Sequence, residues 1–207
     1  MELAVREDTF RLAETFTISR GSRTEAKVLT VELGDAVHRG LGECVPYARY
    51  GESLSSVTEQ IQSVAADLRN DPAPVDLLEL MPAGAARNAV DCALWDLQAK
   101  RKGKPVWQLL EMSAPEAVTT VYTLSLAEPE AMRQKAIEHS ARPVLKLKLG
   151  GEGDVERLRA VREGAPDTQI VVDANEGWTA ETYQTLAPVL LELGVTMVEQ
   201  PLPAGED

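Results

Sequence analysis

Three short strand-like segments end in charged residues, and the spacing between them constrains the fold more than any other feature of this chain. Lys146 and Lys148 lie in VLKLKLG, Asp173 in IVVDANEGW and Glu199 in MVEQPLP. Lys148 and Asp173 are 25 residues apart, and Asp173 and Glu199 are 26 apart. That step matches one strand-loop-helix-loop unit of a (β/α) barrel, in which about 250 residues are spread over eight units. An ammonium pair and two carboxylates would then stand on neighbouring strands and face one mouth. This is the layout of a metal-assisted proton-abstraction site. The sequence ends at Asp207, just past the third segment. The expectation is therefore a barrel incomplete in this chain, with a site that this sequence begins but does not finish.

The rest of the C-terminal half keeps the same rhythm. VTTVYTLSL reads as a strand, and Pro129 then opens the helix EPEAMRQKAIEHS at a first-turn position. VLKLKL is followed by the helix DVERLRAVREG, and QIVVDAN by a helix from Thr179 to about Leu193, with Pro188 expected to kink it. Strand alternating with helix four times predicts parallel β/α units. The N-terminal half differs. Residues 1 to about 50 alternate apolar and polar positions, as strands do. A helix over about 55–69, capped by Ser56 with Glu59, and another over about 84–102, closed by Gly103 and Pro105, follow. The change of rhythm at MSAPEA divides the chain into 1–115, an α+β domain, and 116–207, a partial (β/α) barrel domain.

Composition excludes several classes. A net charge of −12 speaks against nucleic acid and anionic membranes as partners, because both call for basic surface. No apolar run is long enough to span a bilayer, and MELAVREDTF lacks the pattern of a signal peptide. Cys44 and Cys92 are far apart and form no CxxC pair, which fits a reducing cytoplasm and excludes a cysteine zinc cluster. Cys92, on the second helix, reads as a small core residue.

Alternation in VLKLKLG places Lys146 and Lys148 on one face and Leu145, Leu147 and Leu149 on the other. Two ammonium groups side by side in a partly desolvated interior lower each other's pKa, so that one can act as a base near neutral pH. The segment alone also fits an edge strand with solvated lysines that discourage aggregation. The flanking β/α rhythm and the downstream carboxylates favour the inward-facing reading. Asp173 and Glu199 each fit a turn or solvated strand end as well. Taken as a pair on adjacent strands, they suit Mg²⁺, which prefers oxygen ligands. Asn175, two residues after Asp173, would add an amide oxygen or support the loop.

VLKLKLG, VVDANEGW and VEQPLP, in this order and spacing, resemble the enolase superfamily in its muconate-lactonizing branch. AARNAVDCALWDLQAKRKGKPVWQLL resembles that branch's segment between capping domain and barrel. Within the branch, FTISRGSRTEAKVLTVEL, GLGECVPYARYGES and MPAGAARNAVDCALWDLQAK are most similar to dipeptide epimerases of the L-Ala-D/L-Glu type. The resemblance implies an α+β capping domain followed by the first four β/α units of a TIM-type (β/α)7β barrel. It implies a cytoplasmic isomerase using Mg²⁺ on a small dipeptide substrate, and allows a homo-oligomer. Enolase-superfamily sites in general pair a base with metal ions that stabilise an ene-diolate. On this pattern Asp173 and Glu199 are metal ligands, Lys148 is the acid/base and Lys146 its neighbour. Ile18 to Glu25 is the substrate-covering loop, with Arg20 or Arg23 meeting a substrate carboxylate and Thr123 a further contact. The third metal ligand and the acid/base of the opposite face have no counterpart in this sequence, so the chain alone is expected to be inactive. The alternatives are cycloisomerase or o-succinylbenzoate synthase chemistry on the same scaffold, or a non-catalytic half barrel serving as a remnant or subunit.

Overall fold

The computed structural model describes residues 1–205, which divide into two units. The first comprises Met1–Arg11 and Glu25–Glu116, and the second Leu12–Thr24 and Ala117 onward.

β1 (Glu2–Ile18), β2 (Gly21–Gly34) and β3 (Arg39–Cys44) form a sheet in that order, and all but the 12–24 portion of β1 and β2 belongs to the first unit. β2 and β3 are antiparallel, with Val31 opposite Gly42 and Leu33 opposite Gly40. Helices α1 (Leu54–Ser63), α2 (Ala65–Leu68), α3 (Leu77–Leu80), α4 (Ala85–Lys102) and α5 (Val106–Leu109) follow. Leu29, Val31 and Leu33 of β2 pack with Val57 and Ile61 of α1 and with Ala89, Ala93, Leu94 and Leu97 of α4. Gly40 and Gly42 let β3 lie directly on α4: a Cβ at Gly42 would overlap the carbonyl oxygen of Ala89 and come within 2.8 Å of Ala93 N. Gly103, at φ 61°, closes α4 in the left-handed conformation that glycine adopts without steric cost. The first helix starts within a residue of its expected position, but its cap is Ser53 and not Ser56. Ser53 Oγ accepts the Ser56 N–H at 3.1 Å and Ser56 Oγ accepts the Ser53 N–H at 3.0 Å, a capping box that brings Leu54 against the core. Cys92 also departs from expectation, since it is exposed on α4 while Cys44 is buried.

The second unit is a parallel sheet in the order β4 (Tyr122–Leu124), β5 (Val144–Lys148), β6 (Gln169–Asp173) and β7 (Val195–Glu199). Helices α6 (Pro129–Glu138), α7 (Asp154–Gly164) and α8 (Ala180–Glu192) connect successive strands. Thr179 caps α8 by accepting the Thr182 N–H at 3.1 Å, and the helix runs on through Pro188. Leu145, Leu147, Ile170 and Val172 pack with Met132, Ala136, Leu158 and Val161 of α6 and α7. The predicted first strand is shorter than its sequence suggests. Only residues 122–124 pair with β5, while Val118 and Val121 are exposed. A stretch with strand propensity stays irregular where no partner backbone meets it. Among the described residues no helix is long and apolar enough to cross a membrane.

Candidate active site

The parallel register places the charged residues side by side at the carboxyl ends of the strands. Lys148 is level with Asp173, and Asp173 with Glu199. One step down, Thr123 is level with Lys146 and Lys146 with Val171. Register partners in a parallel sheet share a face, so both lysines, both carboxylates and Thr123 line the face opposite the leucines.

The four ionised groups form one network. Lys148 Nζ donates to Asp173 Oδ2 at 2.6 Å, and Lys146 Nζ lies 3.1 Å from the same oxygen. Lys146 Nζ also donates to Glu199 Oε2 at 2.5 Å. The other oxygen of Asp173 accepts the Asn175 N–H at 2.9 Å. The side chain of Asp173 is 2% exposed and that of Glu199 39%, so the network runs from a buried centre to an open rim.

The electrostatic outcome differs from that of two lysines facing each other alone. Burial pulls the Lys146 ammonium down, but its bonds to Glu199 and Asp173 outweigh this and leave its pKa above the usual lysine value. A carboxylate between the two cations turns their mutual repulsion into a shared attraction. Burial likewise pushes the Asp173 carboxyl up, yet Lys148, the Asn175 amide and Lys146 together hold it below the ordinary range.

The loop after β6 is conformationally costly. Asn175 and Glu176 take φ values of 48° and 64°, a left-handed region disfavoured for residues with a Cβ. Such strain persists where surrounding contacts over-determine it. Here the Glu176 N–H donates to Gln200 O at 2.7 Å, and Asn175 O accepts from Ser19 Oγ at 3.0 Å and Arg20 Nη1 at 2.5 Å. Asn175 Oδ1 is buried and has no hydrogen-bond partner in the protein.

The two arginines of the hairpin differ in setting. Arg20 Nη1 is held by Asn175 O and, at 3.1 Å, by Glu176 Oε2. Arg23 lies over the Phe16 ring at 5.6 Å, and Lys148 Nζ lies 5.9 Å from the centre of the same ring. Sequence reasoning passed over Ser19, Glu176, Asp154 and Trp178. Of these, only the tryptophan directly after NEG carried a visible cue, a large side chain in a loop otherwise built of small and polar residues.

An oxygen-only donor set from Asp173 and Glu199 suits a hard divalent cation such as Mg²⁺. The two carboxylates already gather cationic groups, and the orphaned Asn175 Oδ1 sits two residues from Asp173. Among the described residues no group of three or more histidine, cysteine or acidic side chains could hold a metal ion.

Comparison with known proteins identifies the family. Residues 1–111 match the family described as mandelate racemase / muconate lactonizing enzyme, N-terminal domain, and residues 130–207 match the enolase C-terminal domain-like family. The L-Ala-D/L-Glu epimerase of Escherichia coli (strain K12) is 44% identical over 205 residues, covering 98% of this chain and 64% of that protein. An enolase family member from Agrobacterium tumefaciens with homology to dipeptide epimerases, with bound sodium, L-Ala-L-Glu and an ordered loop, superposes with a TM-score of 0.95. It is 47% identical, with 99% of this chain and 63% of that one covered. The dipeptide epimerase from Methylococcus capsulatus, complexed with Mg and L-Arg-D-Lys, gives a TM-score of 0.85 at 32% identity, covering 99% of this chain and 62% of that one. The chain thus spans a little under two thirds of the length of these relatives. Two linked domain matches over most of the sequence, together with the Lys-Lys, Asp and Glu strand ends in register, place the chain in the mandelate racemase / muconate lactonizing enzyme family of the enolase superfamily.

Proposed function

We propose that the protein carrying this chain is a Mg²⁺-dependent isomerase that epimerises dipeptides of the L-Ala-D/L-Glu type by α-proton abstraction. The observation that carries the reading is the convergence of Lys146, Lys148, Asp173 and Glu199 at the ends of three adjacent parallel strands. The similarity to relatives named as dipeptide epimerases supports the choice of substrate class. On this reading residues 1–115 are the capping domain, 116–207 belong to a barrel domain, and β4–β7 are the first four strands of a (β/α)7β barrel.

Asp173 and Glu199 would hold the cation. When bound, it supplies Lewis-acid stabilisation of the negative charge that develops on the substrate carboxylate, a contribution of several kcal/mol. The chain's own residues do the rest. Lys148 removes the α-proton from one face, and Lys146, bonded to both carboxylates, keeps the ammonium and carboxylate groups in fixed array. Asn175 supports the loop beside Asp173. Arg20 is committed to Asn175 and Glu176, which leaves Arg23 as the hairpin cation to meet a substrate carboxylate. Thr123, level with Lys146, borders the same face. Return of the proton to the opposite face requires a second acid/base, and no lysine of β4, β6 or β7 supplies one.

The test is NMR detection of deuterium uptake at the glutamyl α-carbon of L-Ala-L-Glu in D₂O by the full-length protein with Mg²⁺. Uptake that disappears with EDTA and in Lys148→Met supports the reading. Absence of uptake with every member of a dipeptide panel sinks it.

A further inference from the structure

One buried carboxylate near the site has no part in the chemistry above. Asp154 opens α7 and is 2% exposed. Its Oδ1 accepts the Gly150 N–H and Arg157 Nη1, both at 3.1 Å. Its Oδ2 accepts the Gly151 N–H at 2.6 Å and Trp178 Nε1 at 2.8 Å, and shares the Gly150 N–H at 3.1 Å. Gly150 and Gly151 follow Lys148 almost directly, and Trp178 ends the loop that begins at Asp173. The linkage then extends to the flanking strands. Arg157 Nε donates to Ala127 O at 2.9 Å, in the segment after β4. The Trp178 N–H donates to Pro201 O at 3.0 Å, just beyond Glu199. One acid thereby ties together the segments that follow all four strands.

Burying a carboxylate is unfavourable unless its lone pairs are used. Here both oxygens are fully engaged, and a fully satisfied buried network fixes one geometry. The sheet does not need it, because the partners of Asp154 are loop backbone, Trp178 and the first turn of its own helix. The hairpin turn rests on the same loops: Ser19 Cβ lies 3.4 Å from where a Cβ on Gly150 would be, and 3.1 Å from one on Gly177.

We propose that Asp154 is a positioning residue of the site, acting with Arg157 and Trp178 to set where the ends of β5 and β6 hold Lys148 and Asp173. Its kinetic consequence rests on the epimerase reading, whereas its structural consequence does not. A misplacement of about 1 Å at reacting groups can cost about 100-fold in rate. Asp154→Asn keeps the volume but turns one acceptor into an NH₂ that faces N–H donors. Trp178→Phe removes a single donor and leaves the two glycine amides in place.

The experiment compares wild type, D154N and W178F in the full-length protein, by amide deuterium exchange and by the kinetics of α-proton exchange in L-Ala-L-Glu. For D154N the expected result is faster amide exchange confined to peptides covering 149–153 and 174–178. With it kcat falls about 100-fold while KM for the dipeptide stays within about twofold. W178F shifts both readouts in the same direction by less, and decides alone if D154N does not fold. Faster exchange throughout the sheet and α6 would show a merely structural role. Unchanged exchange, or loosened loops with wild-type kcat, also overturns the proposal. A wild type that exchanges no dipeptide proton defeats the epimerase reading instead. Asp154 is then judged by whether the two segments loosen together, and independent loosening rejects it.

Discussion

Removing the Lys148 ammonium tests the geometry of the site without any substrate. Lys148→Met keeps most of the stem and deletes a 2.6 Å bond to Asp173, a carboxylate whose side chain is 2% exposed. A hydrogen bond between ionised partners contributes about 1.5–3 kcal/mol. Stranding a buried charge completely costs about 3–5 kcal/mol. Asp173 is not stranded, because Lys146 remains at 3.1 Å and the Asn175 N–H at 2.9 Å. The loss is therefore set at about 2–3 kcal/mol, in the upper part of the first range and below the second. Urea unfolding in EDTA, followed by fluorescence of the buried Trp178, would measure it for wild type, K148M, D173N and the double variant. The cycle should return a coupling of about 1.5–3 kcal/mol between the two positions. The pH dependence has a definite sign. Asp173 is held below its ordinary pKa, so its contribution is present above the unfolded value, about 4, and is lost as pH falls through the lower folded value. K148M should show a smaller acid-dependent loss over that window. A coupling under about 0.5 kcal/mol would refute the contact, since that is the additivity expected of independent sites.

Two further outcomes concern the first unit. Gly42→Ala places a methyl group in the Ala89 carbonyl, where neither backbone can turn aside. β3 must lift from α4, at a cost of about 3 kcal/mol, and a urea midpoint equal to wild type would contradict the close approach. The two thiols should separate by reactivity. Cys92 is exposed and should react with a thiol reagent in the native protein, whereas burial and nearby Glu52 push the Cys44 thiol up to about 11. Cys44 should react only on unfolding. Its protonated form contributes stability below the unfolded pKa near 9, which is lost as pH rises toward 11. Equal labelling of both thiols at neutral pH would count against the buried placement.

Much of this protein follows from local rules. Leucines alternating with lysines in β5 read correctly because a strand has a period of two, and Gly103 ends α4 because few other residues adopt φ near 61° without cost. Pro129 at the start of α6 and Thr179 at the cap of α8 are likewise legible one residue at a time. The spacing of Lys148, Asp173 and Glu199 even foretold their register, since each β/α unit returns the chain to the same end of the sheet. What sequence spacing could not show is which charges share a partner. That Lys146 bonds Glu199 and Asp173, which raises rather than lowers its pKa, and that Asp173 also takes Lys148, depends on distances of 2.5, 3.1 and 2.6 Å between strands. The different settings of Arg20 and Arg23 were equally hidden, because they turn on where Asn175 O and Glu176 lie after a strained turn 155 residues away. Asp154 drew no notice in the sequence, because only folding surrounds it with the amides of Gly150 and Gly151 and the indole N–H of Trp178. Local propensity and periodicity act between neighbours in the chain and can be read from its letters. Charge pairing and burial act between neighbours in space, and only the folded backbone determines those.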